Sequence, residues 1–73
     1  MDNLLHIHIF KTDIREENLF RMSTIFADHQ SISHWNVDTD DCDFVLRVVS
    51  EKLSENDIIT LVSQSGFKCE VLD

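Results

Sequence analysis

Along this chain the spacing of apolar residues switches between two and three-to-four, and it does so in a fixed order. A strand turns alternate side chains to opposite faces, whereas a helix returns to the same face every 3.6 residues. Leu4 to Phe10 alternates from Leu5 onward, with Leu5, Ile7 and Ile9 on one side and His6, His8 and Phe10 on the other. This reads as a half-buried strand with the aliphatic set inward. Asp13 then stands where an N-cap can accept backbone N–H groups, with Glu16 placed to reach back. Leu19, Met22, Ile25 and Phe26 continue at helical spacing, which predicts a helix to about Asp28 or His29.

The second half repeats the alternation. Ile32 to Thr39 predicts a strand with Trp35 and Val37 on one face and His34, Asn36 and Asp38 on the other. The polar run Asp40-Asp41-Cys42-Asp43 separates it from a β-branched stretch, Phe44 to Val49, so the pair reads as a hairpin. Ser54 to Asp57 forms a second capping signature, and Ile58, Leu61 and Val62 supply the inner face of a second helix. Gly66, the chain's one glycine, stands where a helix end needs positive φ, and Phe67 to Leu72 predicts a final strand.

The order β-α-β-β-α-β in 73 residues predicts a single α+β domain over residues 1–73. Right-handed crossovers arrange its strands 4-1-3-2 in an antiparallel sheet with both helices on one face, the ferredoxin-like plait. The expected core is Leu5, Ile7, Ile9, Leu19, Met22, Phe26, Trp35, Val37, Phe44, Leu46, Val48, Ile58, Leu61, Val62, Phe67 and Val71.

Charge narrows the function. Fourteen acidic against six basic side chains give a net −8. Nucleic acids and anionic membranes are bound through Lys and Arg, so neither is an expected partner. No signal peptide or spanning segment is read, and the expected location is the cytoplasm, where Cys42 and Cys69 stay free thiols.

The stretch Ile32-Ser33-His34-Trp35-Asn36-Val37-Asp38 resembles the V-x-x-V-x-V-D strand of the heavy-metal-associated domains of copper chaperones and metal-pumping ATPases. Asp57 to Phe67 resembles that family's I-x-x-x-I-x-x-x-G-F ending, and Met22, Ile25 and Phe26 fall at its first-helix core positions. The resemblance covers nearly the whole chain and implies the same plait. Amino-acid-binding ACT domains share the topology and a similar ending. The family's M-x-C-x-x-C metal loop is absent: its cysteine positions fall near Arg15 and Asn18, in Lys11 to Asn18. Cu(I) selects thiolate and thioether ligands, so the scaffold carries over and copper transfer does not.

Several candidate sites remain. The plait brings Asp13, Glu16 and Glu17 to the same pole as Asp38, Asp40, Asp41 and Asp43, a surface for a basic protein partner. Capping and turn formation account for many of the same residues. Cys42 and Cys69, with His or acid ligands, are the candidate pair for Zn²⁺, although Cys69 has inward parity. His6 and His8 form an i, i+2 chelate on the outer sheet face, or an ordinary solvated face. That face, read as Phe10, Val45 and Val49 among polar residues, suits a partner or a second copy. No phosphate loop or triad is present, so catalysis is not expected. The leading expectation is a small non-catalytic interaction domain without a cofactor. Metal-ion binding or handling through a non-standard Cys, His or acidic site, with a weakly held divalent metal, is the alternative, and ACT-like sensing of a small molecule is a third.

Overall fold

The computed structural model describes residues 7–72. Its elements are β1 (Ile7–Thr12), a 3₁₀ turn (Glu16–Asn18), α1 (Leu19–Ala27), β2 (Ile32–Asp38), β3 (Val45–Ser50), α2 (Glu55–Gln64) and β4 (Cys69–Val71). The strands form one antiparallel sheet in the order β2-β3-β1-β4. Met22 and Phe26 of α1 and Ile58 and Val62 of α2 join Phe10, Leu46 and Val48 in one buried cluster, so both helices cover the same sheet face. Each such large side chain contributes roughly 1.5–3 kcal/mol on burial. Trp35 meets Phe26 edge-on at 5.0 Å between ring centres, which seats α1 over the β2 edge.

The first strand departs from the expected facing. Phe10 and Thr12 point inward, and Ile7 and Ile9 point out, 64% and 38% exposed. A one-residue change of phase moves a whole strand's side chains to the other face. The phase is fixed by the strand's far end: Lys11 shares parity with Ile9 and is exposed, while Phe10 and the following Ile14 are fully buried. His8 therefore shares the inner side with Phe10, its ring 6.4 Å from the phenyl, and not the outer face. Leu5 and His6 lie outside the described residues.

The first helix starts later than its acidic signature implies. Asp13 caps nothing; its Oδ1 accepts from the Lys68 amide at 2.9 Å. Ile14 reaches the core, so the chain is not helical there, and Asn18 Oδ1 accepts from the Arg15 amide at 3.0 Å as the 3₁₀ turn begins. The second helix follows its signature. Ser54 Oγ accepts from the Asp57 amide at 3.1 Å, and Asp57 Oδ2 from the Ser54 amide at 2.9 Å. It ends with Gly66 at φ +97°, the Gly66 amide donating to Ser63 O at 3.0 Å and the Phe67 amide to Val62 O at 3.4 Å. These are the two bonds of a Schellman ending.

Phe44 also departs from its expected place in the core. It precedes β3, adopts φ +46°, and is half-buried outside the main cluster. Val71 sits on the inner side opposite Phe10 but remains 38% exposed at the β4 edge.

Candidate interaction pole

Three chain segments are tied together at one end of the sheet. The Thr12 amide donates to Asp43 O at 3.1 Å, and Thr12 Oγ1 donates to Phe44 O at 2.6 Å, joining the end of β1 to the β2–β3 hairpin. The Asp13 carboxylate holds the Lys68 amide, joining the same loop to the turn before β4. These bonds place the acids of separate segments around one shallow depression lined by Arg15, Glu16, Glu17, Thr39, Asp40 and Phe44.

Six of the seven candidate acids divide by what their carboxylates do, and Asp43 contributes its backbone carbonyl to the Thr12 amide. Asp13 is committed to the Lys68 amide. Asp38 Oδ1 accepts from the Asp40 amide at 3.1 Å, and Asp41 Oδ1 from the Asp43 amide at 2.8 Å. These two Asx turns shape the hairpin, which has no glycine to take its left-handed position. Phe44 takes that position instead. For a bulky residue, left-handed backbone costs on the order of 1–2 kcal/mol. Glu16, Glu17 and Asp40 are exposed and face the depression.

Arg15 and Phe44 complete the pole. The Arg15 guanidinium lies over the Phe44 ring, 5.4 Å from its centre. The sequence pattern puts Phe44 in the core, so the Arg15–Phe44 pair is not legible as part of this surface. Only the left-handed turn at Phe44, which no local pattern announces, lifts the ring beneath the guanidinium. A second such pair, Arg21 over Phe67 at 5.3 Å, accompanies Arg21 Nη2 donating to Ser65 O at 2.7 Å and holds α1 to the end of α2.

The candidate metal ligands are dispersed. Cys42 is an exposed free thiol in the hairpin, whereas Cys69 is a buried free thiol opposite Thr12 on the inner side of the sheet. Burial, with the neighbouring Glu70 carboxylate, pushes the Cys69 thiol from 9.0 up to about 11, away from the thiolate a metal needs. His8 is on the inner side and His6 is outside the described residues. Among the described residues, the one set of three donor groups within reach of a single ion is Asp41, Cys42 and Asp43, their ligand atoms within 4.8 Å of one another. Two hard oxygens and one soft sulfur make a mixed set, and structural Zn²⁺ takes four ligands.

Among the described residues no helix is long and apolar enough to cross a membrane. No family model, no curated protein and no solved structure matches the chain.

Proposed function

We propose that this chain is a ferredoxin-like plait used as a cytoplasmic, non-catalytic interaction domain that presents its acidic pole to a basic segment of a protein partner. The strand order β2-β3-β1-β4, with both helices over one face, supports the plait. The scaffold resembles a heavy-metal-associated domain in which the cysteine loop is replaced. Arg15 and Asn18 stand where the ligands would be, and Asn18 is instead a backbone cap.

The observation that carries this reading is the gathering of Glu16, Glu17 and Asp40 around one depression with the Arg15–Phe44 pair on its rim. Exposed carboxylates attract a cationic segment over about a Debye length, near 10 Å at 0.1 M salt. The contact is fast and salt-sensitive.

The test is titration of the ¹⁵N-labelled protein with an arginine-rich hexapeptide at low salt. Amide shifts are expected in residues 15–17 and 39–44, and they should be lost in a Glu16→Gln, Glu17→Gln, Asp40→Asn variant. Shifts scattered over the whole surface, or retained in that variant, would refute the reading.

The Asp41, Cys42, Asp43 set favours divalent-metal binding at the hairpin as a second reading. Native mass spectrometry with Zn²⁺ should then give one adduct that Cys42→Ala removes and Cys69→Ala does not. An ACT-like role has no observation of this kind behind it.

A further inference from the structure

The outer face of the sheet is the second unusual surface. The strand registers align its side chains in rows. His34 lies beside Val49, and Val49 beside Ile7. Asn36 lies beside Arg47, Arg47 beside Ile9, and the Leu72 amide bonds Ile9 O at 3.0 Å. Nearer the acidic pole, Asp38 lies beside Val45 and Lys11 beside Glu70. Ile7 is 64% and Ile9 38% exposed, on a strand flanked by β3 and β4 in the middle of the sheet. A sheet face left to water is polar at such positions, with the hydrophobic set turned to the core.

Charge separates this face from the rest of the surface. Among the described residues its charged side chains, Lys11 and Arg47 against Asp38 and Glu70, cancel by count, on a chain whose net charge is −8. Two copies of so acidic a molecule repel through most orientations. They meet with least repulsion where the local charge is zero. A patch carrying both an aliphatic row and both signs of charge can oppose its own charges with opposite ones in a second copy, as a two-fold interface requires.

We infer that the outer sheet face, centred on Ile7 and Ile9, is covered by the same face of a second copy of this chain. Strands about 4.8 Å apart and about 3.3 Å per residue give a face of roughly 400 Å² in projection per copy. Two copies then cover about 800 Å² together, less than the roughly 1,200 Å² of ordinary specific interfaces, so the association is weak and reversible. The dimer leaves Glu16, Glu17 and Asp40 free, so this inference stands or falls separately from the acidic pole.

Sedimentation equilibrium should show a monomer–dimer equilibrium with a dissociation constant on the order of tens of micromolar. Ile9→Asp should leave a monomer with an unchanged far-UV spectrum. Phe20→Ser, which removes the 83%-exposed ring on α1, should leave the dimer intact. In case Ile9→Asp fails to fold, dilution of the ¹⁵N-labelled native chain gives the same answer. Its concentration-dependent shifts should be confined to Ile7, Ile9, His34, Arg47, Val49 and Leu72. A monomer at millimolar concentration overturns the inference. So do a dimer that survives Ile9→Asp, one lost with Phe20→Ser, or dilution shifts lying elsewhere.

Discussion

Thr12 shows how one side chain can decide a strand. It is 7% exposed; its hydroxyl donates to Phe44 O at 2.6 Å and accepts the Ile14 amide at 3.1 Å. Thr12→Val keeps the shape and strands both partners, so it should cost about 2 kcal/mol in urea unfolding. Cys69 makes a second residue-scale prediction. Below pH 9 the thiol holds its proton in both states. Between 9.0 and about 11 only the unfolded chain ionises, so stability falls across that window. The loss is on the order of 2 kcal/mol, read as the difference between the native chain and Cys69→Val in urea melts at pH 7.5 and 10.5. At pH 8 a disulfide reagent should titrate Cys42 alone until denaturant is added. The inward parity of Cys69 was legible from its alternation with Phe67 and Val71. That of β1 was not, because Leu5, Ile7 and Ile9 outnumber Phe10 in the alternation, while Lys11 and Thr12 at the strand's far end fix the phase.

At the scale of elements, legibility followed how local the signal is. The second helix is bounded by contacts within a few residues: the Ser54–Asp57 reciprocal cap and the Gly66 ending. Both were readable for that reason. A Cβ at Gly66 would meet nothing within 4 Å, so Gly66→Ala tests the backbone alone. It should cost about 1–2 kcal/mol in the thermal or urea midpoint, from φ +97°. The first helix carried an equally good local signature in Asp13 and Glu16, and it failed. A bond 55 residues away to Lys68 takes the Asp13 carboxylate, and burial of Ile14 holds the backbone extended. The acidic pole was legible in the same partial way. The sequence supplied the carboxylates, but which ones bind backbone and which face the depression depended on turns at Asp38 and Asp41.

The whole molecule measures 38 × 27 × 18 Å and carries −8, so its charges repel across its full width at low salt. Raising NaCl from about 10 mM to about 100 mM shortens the Debye length from about 30 Å to about 10 Å, less than the shortest dimension. The thermal midpoint should rise over that range in differential scanning calorimetry; a flat or falling midpoint would mean that attractive ion pairs outweigh the repulsion. The sequence by itself determined the kinds and order of the elements and the net charge. Hydrophobic period, caps and formal charge belong to single residues and their near neighbours, and need no partner far along the chain. Only the tertiary structure decided the facing of β1, the delayed start of α1, the lifting of Phe44 beneath Arg15 and the aliphatic outer face. Each is a choice between locally similar alternatives, and contacts between segments distant in sequence tip the balance.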